Sequence, residues 1–546
     1  MKESAARSNM RSRQIQEAVF ILWASVCLVL ASSCRPQPAA RNFILITLDT
    51  QRADHIGAYN PGGTSTPAID SVAAAGILFE NCHSPIPITL PAHASIFYSR
   101  APHSVPNYNN GQIVVPARGR VSMAERFRAG GYATAAFVSL GVLASRFGLD
   151  RGFDLYEDRF PEGRWYLDAG QVNERVFPWL EANAKRRFFC WIHYSDPHDP
   201  YSPPDLPDDL TLILNGIPVE SACLSRYETR TVRLSLKPGR NTLRFRIVNN
   251  DTRGSDLYKG RLDVLRIEPG PGENGPDIVL DEAWFAREDG VFFFSDDAII
   301  KLDSRPGSRT VTLTYRGNPV TPPWKLRAMY RREVEYMDGQ LGRLLEKIRQ
   351  LGLEPSTGLL IAGDHGEGLG EYRTGMGDPH FGHIHFLNEV YLRVPLILSV
   401  PAGKKAGLRV SRPASLIDIS PTLLRLMRLP SLPGAEGLDL LVDGPDGGRR
   451  LWQETFRPES VADRFGLLSY PWHLIVTPSS NACELYDLQT DPEERRNLYD
   501  SEASDPVLGR LRPILDDRIR RILSEKKEIP LDKSSEEILR SLGYIR

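Results

Sequence analysis

Uninterrupted apolar runs recur along the chain and predict buried strands. The runs occupy residues 42–49, 132–138, 188–194, 359–362 and 394–400. Runs without polar alternation are typical of parallel strands that are covered on both faces. Pro395 lies inside the last run, so that strand is expected to begin there or to lie at a sheet edge.

Helical patterns separate these strands. The longest keeps one apolar face through Leu326, Met329, Tyr330, Val334, Met337, Leu341, Leu344, Leu345 and Ile348. Strands that alternate with helices predict an α/β fold built on a doubly wound mixed sheet. Such sheets bind ligands at the carboxyl ends of their strands. Asp49, Asp196 and Asp364 fall at or just past such ends.

Residues 206–322 break this pattern. Apolar and polar residues alternate there in four stretches, 232–236, 242–248, 262–267 and 310–315, with Pro-Gly turns between them. This pattern predicts an inserted all-β, sandwich-like domain. A glycan- or partner-binding surface and an inert insertion both remain open as its role.

The insertion divides a catalytic α/β domain into residues 41–205 and 323–445. The remaining segment, 446–546, combines a strand-and-turn region with a helical tail. It is expected to form a small C-terminal α+β subdomain.

The N-terminus has the pattern of an export signal. Residues 1–17 carry Lys2, Arg7, Arg11 and Arg13, and residues 18–31 are apolar, which is short for a membrane span. Cys34 follows small residues and resembles a bacterial lipoprotein processing site. We therefore expect export to the bacterial periplasm or cell envelope with a lipid anchor at Cys34. A plain signal peptide or an uncleaved anchor are the alternatives.

Composition excludes several classes of protein. The 546 residues are 41% hydrophobic and 25% charged, which is ordinary for a globular protein. The net charge of -1 gives no basic footprint for nucleic acid. The cysteines beyond the signal region, Cys82, Cys190, Cys223 and Cys483, are scattered without metal-ligand spacing.

The polar residues near the strand ends suggest one chemistry when they are taken together. Asp49, Asp364 and His365 offer two carboxylates and an imidazole, a set that suits Zn²⁺ or Mn²⁺. A hydroxyl beside that ion, from Thr89, would become a nucleophile. Singly each signal is weak, because Thr89 could equally cap a helix that starts near Pro91.

The motifs as a whole resemble the sulfatases of the alkaline phosphatase superfamily. The resemblance rests on residues 48–57 (LDTQRADHIG), 66–70, 76–79, 89–93 (TLPAH), 196–201 (DPHDPY), 363–367 (GDHGE), 392–395 and 485–498. It spans residue 42 to the C-terminal region apart from the β insertion. It implies the fold of that superfamily and an ester hydrolase.

The departures from the family pattern affect the chemistry. Sulfatases carry Cys or Ser at the nucleophile position and oxidise it to formylglycine, whereas this chain has Thr89, whose oxidation would give only a ketone. His93 replaces the family's Arg, and Thr50 replaces its second Asp. His365 stands where calcium-binding sulfatases have Asn. These changes resemble the Thr-nucleophile, transition-metal enzymes of the superfamily, so Zn or Mn is favoured over Ca.

By that resemblance the site has named roles. Asp49, Thr89, Asp364 and His365 hold one ion, while Asp196, His198 and His383 hold a second ion or a phosphate-binding shell. Thr89, His198 and His383 are the catalytic candidates, and His93, His198 and His383 the substrate-binding ones. His380 and His385 compete with His383. One ion or two are both open.

Three functions follow, in decreasing order of preference. The first is metal-dependent hydrolysis, or transfer, of phosphate or related esters through Thr89. The second is true hydrolysis of sulfuric esters, for example on sulfated glycans. The third is a catalytically inactive protein that binds a glycan or a partner. A small molecule or a glycan is the expected ester substrate, and the oligomeric state is not predicted.

Overall fold

The computed structural model describes residues 40–541 apart from the intervals 106–107, 115–118, 162–163, 200, 202, 204–209, 223–228, 248–260, 281–284, 287–291, 295–297, 307–308, 319–322, 374–378, 402–405, 443–447, 457–461, 502–504 and 527–532. The predicted signal at 1–34, with Cys34, and Cys223 lie outside these ranges. Within them, no helix combines the length and the hydropathy that a membrane crossing requires.

A mixed eight-stranded sheet forms the centre of the molecule. Its strands are β1 (Asn42–Leu48), β2 (Ile77–Phe79), β4 (Ala133–Phe137), β5 (Leu155–Glu157), β6 (Phe188–Tyr194), β17 (Thr357–Gly363), β21 (Leu396–Ser399) and β22 (Leu408–Val410). Their order is β22-β2-β21-β17-β1-β6-β4-β5. Strands β17, β1, β6, β4 and β5 are parallel, and β21 is antiparallel to its neighbours. The predicted α/β class is confirmed.

Helices cover both faces of this sheet. They are α1 (Pro67–Ala75), α2 (Thr89–Tyr98), α3 (Met123–Ala129), α4 (Ala169–Asn183), α5 (Pro323–Gln350), α6 (Glu389–Leu392) and α7 (Ile419–Leu426). Phe43 and Leu45 of β1 belong to a core with α2, α3 and α7. Ile44 and Ile46 belong to the opposite core with α1, α4 and α5. Burial on both faces explains why the strands read as uninterrupted apolar runs.

The run at 394–400 is split by its proline. Residues Arg393–Val394 form β20, and β21 starts after Pro395. Pro395 therefore marks a strand entry, and the strand lies inside the sheet rather than at its edge. Strands β3 (Cys82–His83) and β23 (Ala414–Ser415) join β20 in a small sheet, and β18 (Gly368–Arg373) pairs with β19 (Pro379–Gly382).

The insertion folds into two antiparallel sheets that share one core. One contains β7 (Leu210–Leu214), β8 (Ile217–Ala222), β10 (Gly239–Ile247), β12 (Asp277–Leu280) and β15 (Ala298–Ser304). The other contains β9 (Thr229–Ser235), β11 (Arg261–Pro269), β13 (Phe285–Ala286), β14 (Phe292–Phe294) and β16 (Thr310–Asn318). Alternate residues such as Leu243 and Leu313 fill the space between them.

The C-terminal region is a four-stranded antiparallel sheet with helices. It comprises β24 (Leu451–Thr455), β25 (Arg464–Ser469), β26 (Trp472–Thr477), β27 (Ala482–Asp487), α8 (Asp505–Glu525) and α9 (Lys533–Ser541). Leu467 and Leu515 share a core with Ile86 and Ile88, which directly precede α2. The C-terminal sheet thus packs against the segment that introduces Thr89.

Candidate active site

Strand register brings the two predicted metal-binding aspartates together. Leu48 at the end of β1 is paired with Gly363 of β17, so Asp49 and Asp364 follow neighbouring parallel strands at the same level. Asp364 also donates its backbone N–H to Leu48 O at 3.2 Å. Asp49 is an even number of residues from Phe43 and Leu45, so its side chain is expected on the same face of the sheet as theirs. That face is the one covered by α2.

Both carboxylates are fully buried and only partly satisfied. Asp364 Oδ1 accepts hydrogen bonds from the backbone N–H groups of Thr50 at 3.2 Å and His365 at 2.7 Å. Asp364 Oδ2 and both oxygens of Asp49 have no hydrogen-bond partner among the described residues. Burial raises the pKa of both groups, and the charge of Asp49 raises that of Asp364 further.

His365 points an unprotonated nitrogen at these oxygens. Its Nδ1–H donates to the carbonyl of Gly366 at 3.0 Å, so in the neutral ring Nε2 carries the lone pair. Burial lowers the pKa of His365 well below its usual range, which favours this neutral form. Nε2 lies 3.6 Å from Asp364 Oδ2 and 3.9 Å from Asp49 Oδ1.

Thr89 joins this group from α2. Its Oγ1 lies 3.3 Å from His365 Nε2. The helix begins at Thr89, and the residue at its N-cap is Ile88. The alternative that Thr89 caps a helix starting near Pro91 is therefore wrong, because its hydroxyl faces the imidazole instead. A first helical position also brings the positive end of the helix dipole to the site.

His383 and His198 complete the polar wall beside His365. The ring of His383 lies 4.5 Å from that of His365 and 5.1 Å from that of His198, centroid to centroid. Burial lowers the pKa of His383 to about 3 and that of His198 to about 4. The two competing histidines have other contacts: His380 meets the Tyr391 hydroxyl and His385 the carbonyl of His383.

Glu367 supports His383 and is absent from the predicted site. Its Oε2 accepts the Nδ1–H of His383 at 2.8 Å, and its Oε1 accepts the hydroxyl of Tyr201 at 3.2 Å. Burial raises the pKa of this carboxyl well above its usual range. The residue lies inside the GDHGE motif, so its position in the sequence was the available signal.

His93 is corrected from a substrate-binding residue to a buried support. His93 lies one helical turn after Thr89, so its ring lies beside the backbone of that residue. Its Nδ1–H donates to the carbonyl of Thr89 at 2.8 Å. Its Nε2 accepts the Thr47 hydroxyl at 2.9 Å. Both nitrogens are thus engaged by the protein, and the ring packs against Trp191.

Asp196, predicted as a possible second metal ligand, lies beside the start of α4, and its Oδ2 has no hydrogen-bond partner among the described residues. It keeps the parity of Ile192 and Tyr194, whose side chains pack on the sheet face opposite to Asp49. Its Oδ1 accepts the backbone N–H of Ala169 at the start of α4, at 3.0 Å. Burial raises its pKa to about 7.

His193 also contacts the site and was missed by the sequence analysis. It stands near the end of β6, paired with Thr47 of β1, and its Nε2 lies 3.2 Å from Asp49 Oδ2. A histidine inside a fully buried apolar strand was the available signal. Strand parity would have directed it to the same sheet face as Asp49.

The donor set fits a divalent cation. One ligand atom from each of Asp49, Asp364 and His365 lies within 4.8 Å of the others. Three carboxylate oxygens and an imidazole lone pair converge, and none of those oxygens accepts a well-aligned hydrogen bond from a described residue. Buried acceptors facing one another are unfavourable unless a cation or proton lies between them.

Comparisons with known proteins identify the family and the fold. A sequence profile of the family named Sulfatase matches residues 41–429, and one named N-sulphoglucosamine sulphohydrolase, C-terminal, matches residues 380–521. The N-acetylglucosamine-6-O-sulfatase of Bacteroides thetaiotaomicron is 22% identical over 517 residues, covering 86% of this chain and 85% of its own. The Delta 4,5-hexuronate-2-O-sulfatase of that species is 22% identical over 540 residues, covering 92% and 94%.

A solved structure shares the fold. The phosphonate monoester hydrolase of Agrobacterium radiobacter matches with a TM-score of 0.57 and 17% identity, covering 89% of this chain and 96% of its own. At that identity the likeness establishes the architecture and no more.

Proposed function

The chain belongs to the sulfatase family, and we propose that it hydrolyses phosphate esters in a metal-dependent reaction with Thr89 as the nucleophile. The observation that supports this most is the contact of 3.3 Å between Thr89 Oγ1 and His365 Nε2, beside two buried carboxylates with unsatisfied oxygens. Ester hydrolysis itself follows from family membership. The choice of phosphate and the role of Thr89 are the proposal.

Asp49, Asp364 and His365 would hold the cation. A bound divalent cation would neutralise the carboxylates, lower the pKa of the Thr89 hydroxyl and polarise the ester. An imidazole ligand favours Zn²⁺ or Mn²⁺ over Ca²⁺. We propose one ion, because among the described residues no cluster of potential ligand atoms brings Asp196 together with His198 or His383.

Thr89 attacks the tetrahedral centre in this scheme. Its oxygen forms a bond to phosphorus as the bond from phosphorus to the leaving oxygen breaks. The proton that the Thr89 hydroxyl loses is taken up at Nε2 of His383, whose Nδ1–H is held by Glu367 at 2.8 Å, and is then given to the leaving alkoxide. Water cleaves the covalent Thr89 ester in a second displacement and regenerates the hydroxyl.

Sulfate ester hydrolysis is the second candidate. It is supported by the relatives of this chain, which include two sulfatases whose names specify an N-acetylglucosamine and a hexuronate substrate. Against it stands Thr89, since a methyl group on Cβ prevents oxidation to the formyl group on which family members rely. A phosphorylated or sulfated glycan is the substrate class that both candidates share.

Turnover of aryl esters separates the two candidates. Purified protein is treated with chelator, reloaded with Mn²⁺ or Zn²⁺, and offered an aryl phosphate monoester, an aryl phosphate diester and an aryl sulfate. Metal-dependent phosphoester turnover that Thr89→Ala abolishes and Thr89→Ser retains supports the first. Preferred turnover of the sulfate supports the second, and sulfate turnover that survives Thr89→Ala removes Thr89 from either mechanism.

Export and lipid anchoring at Cys34 are a separate proposal. The basic segment, the apolar stretch at 18–31 and Cys34 support it. Expression in a bacterial host with radiolabelled palmitate tests it. Label in the wild type that disappears in Cys34→Ala is expected, and unlabelled protein in the envelope would contradict the anchor.

A further inference from the structure

The residue after Asp49 has a strained backbone. Thr50 is fully buried and has a φ of 53°, in the left-handed region that a β-branched residue rarely adopts. Its backbone N–H donates to Asp364 Oδ1 at 3.2 Å, and its carbonyl accepts the hydroxyl of Tyr330 at 2.8 Å. Strained conformations persist only where the surrounding contacts fix them. These two contacts hold the backbone of Thr50 between an ion-binding carboxylate and α5.

The hydroxyl of Thr50 contacts a third element, the loop that follows β6. Its Oγ1 lies 2.8 Å from the carbonyl oxygen of Pro197 and 2.8 Å from that of Asp49. Both oxygens can only accept, so the hydroxyl donates, and its one hydrogen is shared between them. Among the described residues, Thr50 alone donates a hydrogen bond to the Pro197 carbonyl. Loss of the hydroxyl would leave this buried residue's carbonyl without its donor and loosen the loop.

His198 directly follows Pro197 and brings this loop to the site. Its ring lies 5.1 Å from that of His383, centroid to centroid. Its Nδ1–H donates to the carbonyl of Asp199 at 2.5 Å, so in the neutral ring Nε2 carries the lone pair. The position of this imidazole depends on the loop, and hence on the attachment of the loop to the end of β1.

We infer that Thr50 is a positioning residue, whose hydroxyl fixes the Pro197 carbonyl and thereby holds His198 beside His383 for the reaction of the ester. The left-handed backbone directs the N–H of Thr50 to Asp364 while its hydroxyl meets the loop. One residue thus sets the imidazole relative to the ion-binding carboxylate. The inference rests on the proposed function, since it assumes that His198 meets the ester.

Three substitutions separate the hydroxyl of Thr50 from its backbone conformation. Thr50→Val removes the hydroxyl and keeps the branched shape, whereas Thr50→Ser keeps the hydroxyl and is the matched control. Thr50→Gly also lacks the hydroxyl but adopts the left-handed conformation without strain, so it carries the test if the valine variant does not fold. All are made in the full chain, and Thr50→Val and Thr50→Gly are also combined with His198→Gln.

Two measurements follow the loop and the reaction separately. In metal-free protein, mass spectrometry records amide hydrogen exchange of residues 195–199, where the His198 N–H is bonded to the Ser195 carbonyl at 3.1 Å. In Mn²⁺-loaded protein, turnover of an aryl phosphate gives kcat and KM, and calorimetry gives the Kd for Mn²⁺. Thermal unfolding of each metal-free variant is recorded beside them.

The variants without the hydroxyl should exchange faster in this segment and lose about tenfold in kcat, with a Kd for Mn²⁺ within about twofold of the wild type. Thr50→Ser should restore both the exchange rate and kcat. In the His198→Gln background, the same hydroxyl removal should change kcat by less than about twofold, because its effect passes through His198.

Other outcomes overturn the inference. An equal loss of kcat in both backgrounds would show that Thr50 acts independently of His198. A lower unfolding temperature with unchanged kcat would reduce Thr50 to a role in stability, and a parallel loss of Mn²⁺ affinity would place its effect on the cation. A wild type that turns over no phosphoester would refute the proposed function, whereas unchanged exchange in Thr50→Val and Thr50→Gly would refute the hold on the loop by itself.

Discussion

Two buried clusters of histidine and carboxylate differ in how their oxygens are satisfied. In the site cluster, Asp49, Asp364 and His365 leave three carboxylate oxygens without a partner among the described residues. The structural cluster, defined as His83, Glu389, His473 and Glu494, lies where β3 and α6 meet the C-terminal sheet. It shows how the same residue types behave when the protein alone satisfies them.

The carboxylates of the structural cluster accept hydrogen bonds from within the protein. His83 Nε2 lies 2.7 Å from Glu389 Oε1, and His473 Nδ1 lies 2.5 Å from Glu494 Oε1. Glu494 Oε2 also accepts the backbone N–H of Glu389 at 2.7 Å. Every carboxylate there has a donor within the protein, so the cluster joins the two parts of the chain without any ligand.

The histidine pKa values also differ between the two clusters. Burial acts to lower the pKa of His473, but Glu494 and Glu389 overcome it and raise the pKa above its usual value. In the site cluster burial dominates, and the pKa of His365 falls well below the usual range. Burial alone therefore does not identify a functional site. The distinguishing feature is a set of acceptors that the protein leaves unpaired.

Removal of the Thr89 hydroxyl should have the largest effect. Thr89→Ala is expected to lower kcat for phosphoester hydrolysis by about 10³-fold or more, because the attacking oxygen is lost. Thr89→Ser retains the oxygen and is the matched control. Steady-state kinetics with an aryl phosphate measure both. An alanine variant with the rate of the wild type would exclude Thr89 as the nucleophile.

Paired carboxylate-to-amide changes test the comparison itself. Asp364→Asn keeps an oxygen for the N–H groups of Thr50 and His365 but removes the charge, so Mn²⁺ affinity should fall by about 100-fold while metal-free stability is retained. Glu494→Gln should lower the free energy of unfolding by about 3 kcal/mol, because it breaks a buried ion pair. Ion titration and chemical denaturation of each variant measure these changes.

The contrast would fail if the two variants behaved alike. Equal losses of affinity and stability in Asp364→Asn would make Asp364 a structural residue. Weakened ion binding in a folded Glu494→Gln protein would connect the structural cluster to the cation.

The buried histidines His473 and His383 should respond oppositely to acid. Because the folded-state pKa of His473 is raised, its stabilisation is complete below the unfolded value near 6.5 and is lost as pH rises through the folded value. His383 has a pKa lowered to about 3. The unfolded chain therefore takes up its proton first, and stability falls below pH 6.5 by about 1.4 kcal/mol per pH unit.

Denaturation of metal-free protein between pH 5 and pH 8 measures this difference. His383→Gln should reduce the acid-side loss, and His473→Gln should remove the loss on the alkaline side. Unchanged pH dependence in both variants would contradict the assigned protonation states.

A smaller effect is expected from the support of the His383 loop. Ile384, next to His383, has a φ of 81°, which is strained for a β-branched residue, and its carbonyl accepts the Thr455 hydroxyl at 2.6 Å. Thr455→Val should lower kcat roughly tenfold by loosening that loop. Thr455→Ser keeps the hydroxyl and should behave as the wild type, and a fully active Val variant would show that the loop holds its shape unaided.

Local patterns predicted the central features well. The strands β1, β4, β6 and β17 follow from their apolar runs, and the convergence of Asp49 with Asp364 follows from parallel strand ends. The chemistry of the residue types suggested His365 and Thr89 as further members of this group, and the family resemblance assigned all four residues to one ion. The long α5 follows from its apolar face.

The sequence did not predict which way several of the polar side chains point. Asp196 follows an apolar strand just as Asp49 does, yet parity directs it to the opposite face, where the start of α4 uses it. The ring of His93 turns back onto its own helix. Both outcomes depend on partners distant in sequence or on helix geometry, as do the contacts of His193 and Glu367.

Crystals of chelated protein soaked with Mn²⁺ test the central claim most directly, through anomalous difference density at the manganese edge. The account predicts one peak bounded by Asp49, Asp364 and His365, within bonding distance of Thr89 Oγ1. A peak remote from Thr89, or full phosphoester turnover by protein that shows no peak and is assayed in chelator, would contradict it.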